Sequence, residues 1–263
     1  MRPAHPVIPD RVLGYAAALA GDLAAASGGR LRATYLHGSA VLGGWVPDRS
    51  DVDVLFVVAD DVAGPALTAM ARVLAAAGPG CPGRELECSA VTVAAAREPR
   101  APWPYLLHVV AGPDAQAAKV HIGAEATGDR DLVMHYAVCR EAGWPVVGPP
   151  PRELIGSIGT EAIIGYLADE MDWGLAHAPE AYSVLNACRA MIFLTDHAIV
   201  SKIAGAETAL RRGIGPVHLI RRALGQQRGE LPDQPPSADA ISYVLATAAA
   251  LRGGVAARPD DRL

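Results

Sequence analysis

Between Tyr35 and Val58 the chain reads Y-L-H-G-S-A-V-L-G-G-W-V-P-D-R-S-D-V-D-V-L-F-V-V, and this stretch limits what the rest can become. A short strand ends in a Gly-Ser turn, a Gly/Pro-rich excursion follows, and a second strand opens on Asp51 and Asp53. Side chains two positions apart on a strand leave the same face. Two carboxylates about 7 Å apart on one face repel each other unless a hard cation lies between them. Val52, Val54, Leu55, Phe56, Val57 and Val58 have the composition of a buried strand, which fixes that face. Gly38 lets the backbone come close to a ligand, and Ser39 adds a hydroxyl and an N–H suited to a phosphate oxygen.

The whole chain narrows the options further. Its 263 residues suffice for one large domain or two modest ones, with 51% hydrophobic and 19% charged residues marking a globular protein. A net charge of −5 argues against a broad basic surface for nucleic acid and suits a small cationic substrate. Cys81, Cys88, Cys139 and Cys188 show no C-x-x-C pairing, as expected for reduced thiols in a cytoplasmic protein. The opening M-R-P-A-H-P-V-I-P-D lacks the apolar run of a signal peptide, and no stretch is long and apolar enough to span a membrane. A monomer is expected.

Periodicity predicts a helix over Pro9–Ala26 with Asp10 as N-cap, and a second over Ala66–Ala77 that Gly78-Pro79-Gly80 stops. Arg84–Val93 alternates as a strand, with Glu85 and Glu87 on its polar side. The segment from Pro99 to Pro113 reads as a structured loop holding Trp103 and Tyr105. Lys119–Ile122 reads as a short strand and Asp129–Ala142 as a helix. Gly143–Leu154 is Pro-rich and reads as an extended connector, placing a domain boundary at residues 150/151. Beyond it the pattern is helical only, with apolar stripes on Ile163, Ile164, Leu167, Met171 and Leu175 and on Val184, Leu185, Cys188 and Ile192. Helices over His218–Gln227 and Ser237–Leu251 follow, then a tail expected to fray. The fold class is an α/β (α+β) domain with a small mixed sheet over 1–150, followed by an all-α bundle over 151–263.

A metal-bearing carboxylate pair can be joined by a third carboxylate, which serves as a further ligand or as a base toward a reacting hydroxyl. Glu87 is the candidate and Glu85, one pleat earlier, the runner-up. His37 is assigned to packing or to a supporting place beside the motif rather than to catalysis, and Trp173 to the core ahead of a place facing the substrate cleft.

Gly38-Ser39, eleven intervening residues and Asp51-x-Asp53 resemble the signature of the nucleotidyltransferase superfamily. Four segments sharpen the likeness: that motif, R-E-L-E around Glu87, D-R-D-L followed by P-V-V-G-P, and a helix with Arg189 leading to Lys202. Together they resemble the aminoglycoside adenylyltransferases that modify streptomycin and spectinomycin. The resemblance implies ATP and two Mg²⁺ ions, with Asp51 and Asp53 as metal ligands, Gly38 and Ser39 gripping the triphosphate, and Glu87 as catalytic base. It also implies that Asp131 lies near the nucleotide and that Arg189 and Lys202 contact its phosphates. Thirteen residues of unbroken helix would turn the chain about 1300° and put those two cations on nearly opposite faces, so the helix must end between them, with Ser201 capping a new segment.

Acidic partners for a small cationic or polyhydroxylated substrate are Glu87, Asp172 and Glu180. The family's streptomycin-modifying members carry a tryptophan between the third-carboxylate strand and the D-x-D-L helix. Val109–Ile122 has none here, which points away from streptomycin and toward spectinomycin or another acceptor. Two other readings remain at this point: an adenylyltransferase acting on a protein or RNA, and a non-catalytic nucleotide-binding module.

Overall fold

The apolar run that follows Asp51 becomes the centre of a sheet, and the first half of the molecule is built around it. In the computed structural model, which describes residues 7–123 and 127–256, the chain divides into two compact units, Met1–Ile158 and Gly159–Leu263. The tail from residue 257, expected to fray, lies outside the described residues.

In the first unit, α1 (Asp10–Ala26) leads into β1 (Leu31–Leu36), a single helical turn α2 (Gly38–Val41) and β2 (Val52–Val58). Then come α3 (Gly64–Ala77), β3 (Leu86–Thr92), the short α4 (Val93–Arg97), β4 (Leu107–Ala111), β5 (Lys119–Ile122), α5 (Leu132–Ala142), β6 (Trp144–Val147) and α6 (Pro151–Leu154). The sheet runs β5-β4-β3-β2-β1-β6. Only β2 and β3 pair in parallel, joined by the α3 crossover; the other neighbours are antiparallel. Every residue of β2 except Asp53 is buried. Its two-sided apolar run is what a strand inside a covered sheet requires. Leu67, Met70, Ala71 and Leu74 form the buried stripe of α3, which packs with α1.

Two strands lie where none was predicted. β4 emerges from the segment taken as a loop, because Leu107, Val109 and Ala111 alternate inward beneath its prolines and aromatics. β6 forms within the expected connector and pairs antiparallel with β1. That pairing and α6 keep residues 144–154 in the first unit, so the division falls at Ile158/Gly159. β3 stops at Thr92 rather than Val93, because the Thr92 hydroxyl accepts from the Ala95 N–H at 3.0 Å and caps α4.

The second unit is helical: α7 (Thr160–His177), α8 (Glu180–Asp196), α9 (Lys202–Arg212), α10 (Val217–Gln227) and α11 (Ala238–Ala256). Its core includes Val184, Leu185, Cys188, Leu219 and Ile220. α8 ends at Asp196, with His197 in the left-handed region, and the Ser201 hydroxyl accepts from Ala204 N–H at 3.1 Å to start α9. The break required between Arg189 and Lys202 is therefore present.

Glu180, the first residue of α8, is wholly buried, at 0% exposure. Arg222 Nε donates to its Oε1 at 2.6 Å and Gln234 Nε2 to the same oxygen at 3.0 Å; Ser237 donates to Oε2 from its N–H at 2.9 Å and its hydroxyl at 2.5 Å. Burial alone would raise this carboxyl, but the bonds from Arg222 and Ser237 hold it below its ordinary value. One side chain thus ties α8 to α10 and to the segment preceding α11. Glu180→Ala should cost about 2–4 kcal/mol in urea unfolding of the full chain, because it strands partners of a buried charge. A loss below about 1 kcal/mol would show that the network contributes no more than a surface pair.

Candidate active site

The parallel register sets the geometry. β2 and β3 pair with Val52 opposite Leu86 and Asp53 opposite Glu87. Of the two glutamates weighed for β3, Glu87 is the one brought level with Asp53. Asp51 stands one residue before β2, where Arg84 Nε donates to its Oδ1 and Arg84 Nη2 to its Oδ2, both at 2.9 Å. The same Nη2 donates to Glu85 Oε1 at 2.8 Å, so Glu85 is an ion-pair partner of Arg84.

Gly38 begins the turn after β1 with φ of +65°, a conformation other residues adopt only under strain. A Cβ placed there would lie 1.8 Å from Asp53 Oδ2. The close approach expected of this glycine is thus made by Asp53 itself. Beside it, the Ser39 hydroxyl oxygen is buried without a hydrogen-bond partner, an unusual position for a donor.

Further charge arrives from the turn before α5. Asp129 Oδ1 accepts from the Asp131 N–H at 2.9 Å, and Asp129 Oδ2 lies 3.9 Å from His108 Nδ1. His108 also meets the Ser89 hydroxyl at 3.0 Å. His135, on α5, places Nε2 3.7 Å from Glu87 Oε1 and packs against His37 with ring centroids 4.8 Å apart. Both imidazoles are held below their ordinary proton affinity, chiefly by burial. His37 is therefore the packing residue expected of it.

Glu87 gathers the consequences. Burial pushes its carboxyl up to about 7; His108 opposes the rise, while Asp51, Asp131 and Asp129 add to it. Its side chain retains 27% exposure, so it is reachable. Asp51, Asp129 and Asp131 thus act on Glu87 together, and Asp53 stands level with it on β2. Oxygen donors of this kind fit a hard divalent cation, and a phosphate oxygen fits the orphaned Ser39 hydroxyl. Among the described residues no three His, Cys, Asp or Glu side chains converge as a ready-made metal cage, and Asp51 is held by Arg84. Protein carboxylates alone do not complete a coordination shell here; nucleotide oxygens would have to join them.

In the second unit Arg189 donates to Asn186 Oδ1 at 3.1 Å, and Lys202 Nζ lies 4.2 Å above the Tyr182 ring. Tyr182 and Arg189 are seven apart on α8 and therefore on one face. Gly205, one turn beyond Lys202, packs so closely that a Cβ would lie 3.0 Å from Arg189 Cγ. The crossing of α8 and α9 thus gathers both predicted cations into one patch. Trp173 corrects the expectation of core packing: it is 49% exposed, stacked on His177 at 5.3 Å and edge-on to Tyr182 at 5.6 Å. Asp172 pairs with Arg252 at 2.5 Å and remains half exposed. Glu180 corrects the other expectation, because a wholly buried carboxylate with four donors offers no oxygen to a substrate.

A mixed sheet carrying carboxylates level on adjacent strands, followed by a helical unit, is the architecture expected from the sequence. Residues 150–249 match the family described as aminoglycoside adenylyltransferase, C-terminal domain. That match spans 100 of the 263 residues, most of them in the helical unit. No curated protein sequence matches the chain. Among solved structures it is similar to the spectinomycin adenyltransferase AAD(9) from Enterococcus faecialis, determined with ATP and spectinomycin, at a TM-score of 0.69 and 15% identity, covering 94% of this chain and 99% of that one. At that identity the likeness establishes the fold. No described helix is long and apolar enough to cross a membrane.

The raised Glu87 carboxyl makes a prediction that needs no substrate. Its proton is bound more tightly in the folded chain, so its contribution to stability is complete below pH 4.5 and is lost as pH rises through about 7. The loss amounts to roughly 3 kcal/mol at about 1.4 kcal/mol per decade of proton affinity. Melting in EDTA should show Glu87→Gln level with wild type near pH 4.5 and more stable at pH 8. A gap that stays flat with pH would show that Glu87 is ionised throughout.

Proposed function

We propose that the chain transfers AMP from ATP to a hydroxyl of a small, amine-bearing, polyhydroxylated acceptor of the aminoglycoside or aminocyclitol class, with spectinomycin the first acceptor to try. The observation that carries this reading is the register that sets Glu87 level with Asp53, with Asp51, Asp129 and Asp131 close enough to act on it. The family match of the helical unit supports the acceptor class.

Glu87 takes the proton as the acceptor oxygen attacks the α-phosphorus; the new O–P bond forms as the bond to pyrophosphate breaks. Asp51 and Asp53 would hold the divalent cations, two Mg²⁺ in this reading, whose chemistry when bound is to offset phosphate charge. The Ser39 hydroxyl and the Gly38 turn bind phosphate oxygen, Asp131 lies beside the nucleotide, and Asp172 offers a carboxylate to a cationic acceptor. Positioning and charge stabilisation supply most of the rate in such transfers.

Pyrophosphate release from MgATP across a panel of aminoglycosides and aminocyclitols tests the reading. Glu87→Gln should lower turnover about 10²–10⁴-fold while MgATP still binds, and Asp53→Asn should abolish it. Wild-type turnover in Glu87→Gln would remove the base, and a silent panel would turn attention to protein or RNA acceptors. Arg189→Ala and Lys202→Ala should each weaken ATP binding by about 1–3 kcal/mol in calorimetric titration with Mg²⁺. Unchanged affinity in both would make them structural cations of the α8–α9 crossing.

A further inference from the structure

We infer that Arg84 is a tethered stand-in cation for Asp51, which a divalent cation must displace, and that Glu85 is the carboxylate to which the guanidinium then retreats. This rests on the assignment of Asp51 as a metal ligand under the proposed function.

The backbone locks the three side chains into reach. Arg84 N–H donates to Ser50 O at 2.9 Å and Val52 N–H to Glu85 O at 2.9 Å, extending the β2–β3 ladder by a residue at its open end. Asp51 and Arg84 are thereby neighbours across that ladder rather than partners by chance. The guanidinium takes both oxygens of Asp51 in a two-pronged contact, the geometry in which arginine binds carboxylate best. A cation bound at Asp51 needs one of those oxygens and would meet a fixed positive charge beside it. The guanidinium and the metal ion are thus competitors for one carboxylate.

Release is cheap for two reasons. Arg84 is 58% exposed, so water is ready to solvate it once it lets go. Its Nη2 is shared between Asp51 Oδ2 and Glu85 Oε1, and giving up the first leaves the second in place. The arrangement pairs Asp51 with a cation while no metal is bound, and it lets Arg84 withdraw without becoming an unpaired cation.

Mn²⁺ binding by the full chain, read by electron paramagnetic resonance without nucleotide, tests this. Arg84→Met should bind Mn²⁺ about 1.5–5-fold more tightly than wild type, the range of a partly exposed ion pair. Glu85→Gln should bind it more weakly, because the guanidinium loses its retreat. In the Arg84→Met background the Glu85→Gln change should have no further effect, since Glu85 acts only through Arg84. Additive effects of the two changes would mean that both act through the general field, and would overturn the inference. So would unchanged or weaker binding in Arg84→Met. Arg84→Gln replaces it should that variant fail to fold. If no variant binds Mn²⁺ alone yet wild type binds it with ATP, the inference falls and the proposed function stands; absence of binding even with ATP sinks both.

Discussion

Asp53 and Glu87 face each other across the one parallel pairing in the sheet, and the rest of the first unit manages that fact. Like charges opposite each other on adjacent strands repel, and burial strengthens the repulsion. Several features bear on the charge there without any ligand: Arg84 takes both oxygens of Asp51, His108 offsets part of the charge at Glu87, and burial pushes the Glu87 carboxyl up to about 7. Each is a partial answer. Sliding the strand would not relieve the strain, because both faces of β2 are covered and a one-residue slip would turn the Asp53 carboxylate to the opposite, buried face.

That rigidity explains which parts were legible in the sequence. Gly38-Ser39 and Asp51-x-Asp53 are close in sequence, and a buried strand has a fixed face, so their meeting follows from local rules. Glu87 over Glu85 required knowledge of strand register, which came from the likeness of R-E-L-E to a known motif; the structure shows the same choice as a pairing. The break before α9 was legible because helical geometry demanded it and Ser201 was there to cap it.

The misses at β6, Glu180 and Arg84 share one physical cause, since each depends on contacts distant in the chain, whereas Trp173 turns on local ones. β6 is four residues beside prolines and becomes a strand only because the edge of β1 is open to it. Glu180 looked available on sequence grounds, yet its donors Arg222, Gln234 and Ser237 lie more than forty residues further on. Trp173 reads as core by residue type and sits outside because His177 and Tyr182 offer it a surface to lie on. Arg84 stood inside a recognised motif without its own role being visible, because its partner Asp51 belongs to another strand.

Close backbone approach does in both units what charge cannot do alone. At Gly38 the missing side chain is filled by the Asp53 carboxylate, so the turn that would hold phosphate and the strand that would hold metal are in direct contact. At Gly205 the missing side chain is filled by Arg189, which brings the start of α9 against α8 and sets Lys202 over Tyr182. In each case a glycine removes a spacer of one methyl group, and a charged side chain takes the space. A charge held this way is positioned by packing as well as by its polar partners. It can therefore exchange one partner for another, carboxylate for phosphate or guanidinium for metal, while its carbon skeleton stays where it is. An active site that must pass between empty and loaded states needs that property more than it needs strong pairing in either.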